Sequence, residues 1–380
     1  MNPTKNLLVA LLTLLLSMTL ALSTASADEA RPAPKRSHID LVIALDTSNS
    51  MDGLIDSARQ KVWDLVNEMA TAKPTPILRV GLISYGNDSY RESGWTRVDQ
   101  ALTDDLDAVY EKLMALKTNG GTEYVGRALH VARTQMKWDK NPKALKMIFV
   151  AGNESADQDL EHVALKEAGS LIAQDVLVNT IYCGDDSEPD AKSWREVALR
   201  ADGKFANIAR NGGAVVIATP YDDRLNELSG KLNQTYVAYG SRGAAKKEAQ
   251  AAMDMEASGM SGSAGAARAR AKSSKLYRNS GWDLVDALEE EDVDLDKIAD
   301  DELPQEMRGM SKAERRAYVD KKKAERAAVQ KEIAELSKKR DAYIKEEMSK
   351  RGEREKDAFD EAVSGAIRDQ AKRKNIVFEE

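Results

Sequence analysis

Three oxygen-bearing side chains stand at alternating positions in the stretch DTSNS, which directly follows a hydrophobic run. They are Asp46, Ser48 and Ser50, one carboxylate and two hydroxyls on a short loop. Oxygen donors of this kind suit a hard divalent cation such as Mg²⁺. They could instead serve a helix, because Ser50 or Asp52 could accept hydrogen bonds from the first-turn amides of a helix running from about Leu54. The motif alone leaves both interpretations open.

A second hydroxyl-bearing loop occurs in TNGGTEYVGRAL. Gly120 and Gly121 allow the chain to turn sharply, and Thr122 then opens the next helical pattern. Thr122 could be only a helix cap. However, two separate hydroxyl-bearing loops at helix junctions are less easily explained by capping, which favours a shared metal site.

The elements that must position these loops alternate between short apolar runs and amphipathic segments. The strand-like runs are 38–45, 78–85, 146–151 and 176–183, with a weaker one at 214–218. Helical spacing of apolar residues covers about 54–69, 103–116, 122–136, 159–173, 190–201 and 222–234. Near-continuous apolar strands between helices predict an α/β fold with a doubly wound, mostly parallel sheet flanked by helices. Ligands of such sheets bind beyond the carboxyl ends of the strands, where DTSNS lies.

These features resemble the von Willebrand factor type A family over residues 38–238. DTSNS matches the family's DxSxS signature of the metal-ion-dependent adhesion site, and GGTEYVGRAL is similar to its threonine loop. KMIFVAGNES and SWREVALRADGKFANI resemble the family's fourth strand and a later helix-turn-strand. The resemblance implies that Asp46, Ser48, Ser50 and Thr122 surround one Mg²⁺ or Mn²⁺, and that an acidic side chain of a protein partner completes the shell.

The sequence departs from the family after the fourth strand. Where the family usually carries an aspartate, this chain has Gly152. Asn153 or Glu154 could substitute, since either brings an oxygen atom. If neither reaches the site, the ion loses one anionic ligand and should bind more weakly.

The first 27 residues read as a secretory signal peptide. Lys5 supplies the positive region, residues 7–22 the apolar region, and 25–27 the small-residue cleavage pattern, so the mature chain should begin at Asp28. An uncleaved membrane anchor is the alternative, but the apolar run is short for a span. We therefore expect an exported protein, periplasmic or extracellular, with no stable membrane span after cleavage.

Composition argues against several classes of function. The formal net charge is -7, so the chain lacks the excess of basic residues expected of a nucleic-acid-binding protein. The three histidines, His38, His130 and His162, show no metal-ligand spacing, so a zinc site or a Ser-His-Asp hydrolase has little to build on. The single cysteine, Cys183, lies in an apolar run and is expected to be a buried core residue.

Beyond the α/β region the composition changes twice. Residues 240–274 are rich in Gly, Ala and Ser and predict a flexible linker, while 275–309 predict a short helix and an acidic segment. Residues 311–380 are dominated by Lys, Arg, Glu and Ala and predict a charged helical extension. Val329, Leu336 and Tyr343 repeat every seven residues, as in a coiled coil. A coiled coil needs a second apolar position in each repeat, however, and arginines interrupt that second series here.

The preferred functional hypothesis is an exported, non-enzymatic protein-binding module that uses the metal site. The alternative is a metal-free scaffold that acts mainly through the helical extension. A hydrolase using Asp46 and Glu154 as paired carboxylates is least favoured, because no nucleophile with an adjacent histidine is visible.

Overall fold

The computed structural model describes residues 36–209, 215–351 and 358–378, with only the backbone given for 351 and 358–362. The predicted signal peptide, 1–27, lies outside these ranges, as do 352–357 and 379–380 of the predicted extension. The strands are β1 (His38–Asp46), β2 (Ala72–Lys73), β3 (Ile77–Tyr85), β4 (Thr96–Thr103), β5 (Leu145–Gly152), β6 (Leu177–Cys183), β7 (Phe205–Ile208) and β8 (Val377–Phe378).

The α-helices are α1 (Asp52–Ala70), α2 (Leu106–Met114), α3 (Val125–Gln135), α4 (Ala164–Ile172), α5 (Ala191–Arg200), α6 (Asp222–Asn233), α7 (Gly243–Met260), α8 (Gly262–Ser273), α9 (Leu284–Glu289), α10 (Lys312–Arg351) and α11 (Ala358–Lys372). Short 3₁₀ segments occupy Asp88–Ser93, Leu295–Lys297, Asp300–Glu302 and Gln305–Met307.

A six-stranded sheet of order β4-β3-β1-β5-β6-β7 forms the centre of the fold. All neighbouring strands are parallel except the edge strand β4, which runs antiparallel to β3. Helices α1, α2, α6 and α8 supply the core on one face, and α3, α4 and α5 supply it on the other. The predicted doubly wound α/β architecture is confirmed.

The two edges of the sheet were the parts that the apolar pattern described least well. The run TRVDQALT has too few apolar residues to signal a strand, yet it forms β4. The weak strand predicted at 214–218 is wrong for the described part, because 215–218 are irregular. The opposite edge is instead β7, in the segment that resembles the family's helix-turn-strand. Cys183 is buried at the end of β6, as expected.

The predicted flexible linker at 240–274 is wrong, because this segment forms α7 and α8. Helix α8 is almost wholly buried and packs against α1, α6 and α7. Its alanines are good helix formers, and their small side chains let the helix approach its neighbours closely. The side chain of Asn67 in α1 donates a 2.8 Å hydrogen bond to the Ala267 carbonyl, which fixes the two helices together.

Two cations on α8 are buried among carboxylates. Arg268 donates to Asp254 at 2.5 Å and to Asp107 at 2.7 Å, and its guanidinium lies 4.7 Å from the centre of the Trp63 ring. Lys272 donates to Asp254 at 2.6 Å. A segment with the composition of a linker is thus held by ion pairs that join α2, α7 and α8, and by the contact of Arg268 with the Trp63 ring of α1.

The C-terminal extension packs on the same body. Helix α10 places Ile333 in the core, and Arg340 donates a 3.0 Å hydrogen bond to Asp222 of α6. Val329 and Leu336, two members of the seven-residue repeat, pack against that core. The repeat therefore contacts the domain of its own chain. None of the described helices is both long and apolar enough to cross a membrane.

A buried arginine joins α10 to the short helix α9 in the region predicted as a short helix and acidic segment. Arg326 donates 2.8 Å hydrogen bonds to Asp283 and to Asp286. The cation also lies 4.1 Å from the centre of the Tyr236 ring. One guanidinium thus serves two carboxyl groups, which leaves an excess of negative charge in a buried place.

This excess charge predicts a pH dependence of stability. Burial, followed by the neighbouring charge of Asp283, raises the pKa of Asp286 to about 6. A carboxyl group whose pKa is higher in the folded than in the unfolded state loses its stabilising contribution as pH rises through that interval. We expect the free energy of unfolding of the wild type to fall, relative to Asp286→Asn, by on the order of 1–3 kcal/mol between about pH 4 and pH 6. Urea denaturation across this range measures the difference; parallel curves for the two proteins would contradict it.

Candidate metal centre

Backbone hydrogen bonds hold the two hydroxyl-bearing loops side by side at the carboxyl end of β1. The Asn119 amide donates to the Thr47 carbonyl at 2.9 Å, and the Asn49 amide donates to the Gly120 carbonyl at 3.0 Å. Thr122 forms an isolated bridge with Gly86, the residue after β3. DTSNS and the threonine loop, far apart in sequence, therefore line one place beyond the sheet.

The side chains of DTSNS turn toward one another. Asp46 Oδ1 accepts a 2.8 Å hydrogen bond from the Ser48 amide, and the hydroxyl oxygens of Ser48 and Ser50 are 3.1 Å apart. Ser50 also donates to the side-chain oxygen of Asn153 at 3.2 Å. Oxygen atoms from the first loop and from the end of β5 thus form a connected group.

The capping interpretation of these residues is wrong. Helix α1 begins at Asp52 after Met51, and no side chain caps its first turn. Helix α3 begins at Val125 after Tyr124, again without a side-chain cap, so Thr122 does not cap it either. The hydroxyls of both loops are left available for another role.

Asp46 is completely buried and shares its surroundings with a second buried carboxyl group, that of Glu123. Within the described part of the chain, Asp46 Oδ2 and Glu123 Oε2 have no hydrogen-bond partner. Burial, followed by the charge of Glu123, raises the pKa of Asp46 well above its ordinary value. Burial also raises the pKa of Glu123. Two carboxyl groups in this arrangement are costly unless a cation or a proton lies between them.

Glycine at position 152 has a steric cause. A β-carbon placed there would lie 2.6 Å from the Tyr85 hydroxyl, 3.1 Å from the Trp194 ring and 3.2 Å from Asp46 Oδ2. Tyr85 is held by a 2.8 Å hydrogen bond to the Ala151 carbonyl, and Trp194 by a 2.6 Å hydrogen bond to the Glu154 carbonyl. The two aromatic side chains therefore crowd this position, and a residue with a β-carbon would require them to move.

The two residues considered as substitutes for that aspartate lie in different places. Asn153 contacts Ser50 and so belongs to the group of oxygen atoms. The carboxylate of Glu154 is exposed and accepts a 2.7 Å hydrogen bond from Gln158, which leaves it at the rim. Of the two, Asn153 is the residue that reaches the loop.

The donor set fits a hard divalent cation. Carboxylate, hydroxyl and amide oxygens converge, and unpartnered buried carboxylate atoms are what such an ion would satisfy. Residues 41–154, which contain all of these side chains, match the family model of the von Willebrand factor type A domain. This segment is a von Willebrand factor type A domain.

Solved structures similar to this type A domain have low sequence identity. Proximal thread matrix protein 1 from the mussel byssus is 13% identical, with 46% of this chain and 42% of that chain covered and a TM-score of 0.37. The structure of the same protein with a zinc-occupied MIDAS motif is also 13% identical, with 46% of this chain and 43% of that chain covered and a TM-score of 0.37. The SpRpn10 VWA domain is 16% identical, with 50% and 95% covered and a TM-score of 0.36. This chain thus spans less than half of the mussel protein. No curated protein matches the chain.

Sequence reasoning missed Glu123 of the type A domain. The residue directly follows Thr122, and only the threonine was considered as a ligand. A glutamate in the apolar pattern TEYVGRAL was the available signal, because an acidic residue is seldom buried without a partner. Its closeness to Asp46 depends on the paired loops, which the sequence does not display.

Two of the three histidines also meet, one within residues 41–154 and the other beyond them. The rings of His130 and His162 lie 4.0 Å apart, and Glu167 Oε1 is 3.1 Å from His130 Nδ1. Sequence spacing gave no indication of this cluster. Arg133 already donates to Glu167 at 2.8 Å and lies 3.2 Å from His130 Nδ1. The cluster is therefore accounted for as a half-buried, ion-paired network.

Proposed function

We propose that this chain is an exported, non-enzymatic binding module whose type A domain holds Mg²⁺ or Mn²⁺ and recognises a protein ligand through it. The observation that carries the proposal is the buried, unpartnered Asp46 Oδ2 beside the hydroxyls of Ser48 and Ser50. A cation at this place would give the carboxylate a partner. It would also account for the hydroxyl-bearing loops, whose side chains do not cap a helix.

The chain's own residues divide the work of the site. Asp46 supplies charge from the buried side, and the serines and Thr122 supply neutral oxygens from the two loops. Ser50 is exposed, so the outer side of the site is open to solvent. A bound divalent ion supplies a positive centre for an acidic side chain of the partner. The partner would therefore approach from the Ser50 side.

Export rests on the first 27 residues alone. We propose that they are removed and that the mature protein begins at Asp28 in the periplasm or outside the cell. Terminal sequencing of the protein recovered from its native host tests this. A chain that retains Lys5, or that is found only in the cytoplasm, would overturn it.

Loss of Asp46 should remove metal binding. Calorimetric titration of the mature protein with Mg²⁺ and with Mn²⁺ is expected to give heat of binding, and Asp46→Ala is expected to give none, because the buried anionic donor is gone. Asp56→Asn is the control. Asp56 is an exposed carboxylate on α1 that pairs with Arg59, so its loss should leave the titration unchanged.

Equal heats in the wild type and Asp46→Ala, or no heat in either, would reject the metal site. The binding role is tested by immobilising the full mature chain and applying proteins from the compartment in which it resides. Partners retained by wild-type protein with Mg²⁺, and lost with Asp46→Ala or with a chelator, are the expected result. The same partners retained by all three preparations would reject metal-dependent recognition.

The alternative role, a scaffold acting through 311–380, has less support from the structure. The inner face of α10 is occupied by the domain through Arg326, Ile333 and Arg340. Truncation near Tyr239 would also remove α8 and so expose the core beneath it. A binding test of the extension therefore needs the full chain with substitutions on the exposed face of α10.

A further inference from the structure

The type A domain has no acidic side chain at position 152, although the family's adhesion site usually takes an anionic ligand from there. A β-carbon at that position would lie 2.6 Å from the Tyr85 hydroxyl and 3.1 Å from the Trp194 ring, so a larger residue there would require these side chains to move. Replacement from the same loop is also limited, since Asn153 is neutral and Glu154 points to the rim. If a second anionic ligand exists, it must come from another loop.

Glu123 is placed to be that ligand. Its side chain is 3% exposed, and it enters the site from the threonine loop. A β-carbon added to Gly86 would lie 2.5 Å from Asp46 Oδ1 and 3.4 Å from Glu123 Cγ, so the two acidic side chains pack against the same glycine. The bridge between Gly86 and Thr122 fixes the backbone immediately before Glu123.

No basic residue explains the burial of this glutamate. In the described ranges, neither Asp46 nor Glu123 forms an ion pair. Arg127 of α3 pairs with Asp159 at 3.0 Å, and Arg97 of β4 pairs with Asp99. Two buried carboxylates that face one another without a cation require an external positive charge or a proton.

We propose that Glu123, which lies on the threonine loop, is the second anionic metal ligand. It would take the role that the family assigns to an aspartate at the end of its fourth strand, which is β5 in this chain. This inference rests on the proposed function, since it names a further ligand of the same ion. The donor set then contains two carboxylates, from Asp46 and Glu123, with the hydroxyls of Ser48, Ser50 and Thr122. Their two negative charges match one divalent cation and favour it over a monovalent one.

The decisive experiment compares Glu123→Gln with Glu154→Gln in the full mature chain. Titration with Mg²⁺ and Mn²⁺ is expected to show affinity on the order of 10- to 100-fold weaker for Glu123→Gln, because the charge count of the site falls. Glu154→Gln removes the rival carboxylate at the rim and should bind as the wild type does. Wild-type affinity in Glu123→Gln, or a loss confined to Glu154→Gln, would overturn the inference.

A second readout separates a ligand from a merely structural residue. Without metal, Glu123→Gln should melt at a higher temperature than the wild type, because a neutral amide then faces the buried carboxyl group of Asp46. With saturating Mg²⁺, the wild type should gain more stability than the variant does. A variant that melts lower than the wild type under both conditions would assign Glu123 a structural role and reject the proposal.

Failure of the proposal and failure of the metal site give different results. If the wild type binds neither Mg²⁺ nor Mn²⁺, the proposed function itself fails. If the wild type binds and Glu123→Gln binds equally, only the role of Glu123 fails. Should Glu123→Gln not fold, Glu123→Asp decides the matter, since it keeps the charge and retracts it by one methylene. Weakened affinity in that variant supports the proposal, and unchanged affinity overturns it.

Discussion

Replacing Arg268 with methionine is expected to lower the free energy of unfolding by about 3–5 kcal/mol. The side chain is 1% exposed and is the common partner of Asp107 and Asp254. Methionine restores much of the volume of the arginine side chain but none of its charge. The lowered free energy of unfolding therefore measures the cost of leaving the two carboxylates without this cation. Lys272 remains to serve Asp254, whereas Asp107 keeps no cation within the described part of the network.

Urea denaturation followed by circular dichroism measures this change. Arg270→Met is the matched control, because Arg270 lies on the same helix but pairs with Asp341 near the surface. Its loss should cost no more than about 1 kcal/mol. If both variants unfold at the same urea concentration as the wild type, α8 is not held by the buried network.

The second large effect is expected at Arg326. Arg326→Met leaves Asp283 and Asp286 buried with no cation from α10, at a cost of about 3–5 kcal/mol. Because the same arginine donates to Thr235 at 3.1 Å, the loss should also loosen the first half of α10 from the domain. In this variant, the backbone amides of α10 should exchange hydrogen much faster than those of the central strands.

Lys323→Met provides the comparison for that variant. Lys323 lies one turn away and pairs with Glu289 at 3.1 Å, but both side chains are substantially exposed. Its loss should leave exchange and stability nearly unchanged. Equal protection of α10 in Arg326→Met and in the wild type would show that apolar contacts alone dock the helix.

The sequence predicted the central elements because burial on both faces leaves a local signal. Strands β1, β3, β5 and β6 are short apolar runs, and α1 and α3 repeat their apolar residues at helical spacing. Helices α7 and α8 leave no comparable signal. Their Ala-rich composition resembles that of a linker, and Arg268 becomes a core residue only through Asp107, which lies 161 positions earlier in the chain.

The candidate site divides in the same way. Asp46, Ser48 and Ser50 stand in one motif, and Thr122 follows a glycine pair, so both loops could be found from spacing. The absence of a carboxylate at Gly152 was also visible in the sequence. The cause of that absence was not visible, since it depends on where Tyr85 and Trp194 lie in the fold. The closeness of Glu123 to Asp46 was not visible either, since it depends on the pairing of the two loops.

The packing of α11 means that the core can close only after this late part of the chain has been made. Val363 and Ile367 of α11 share a core with Leu45 of β1, and β8 pairs with β2 beside α1. A chain made from its amino end therefore has the two loops of the candidate site long before it has the residues that close the core behind them. Helix α11 and β8 are made late and close the core behind β1 and α1, which are made early, so a chain terminated before α11 would expose apolar surface beneath the candidate site and be open to proteolysis.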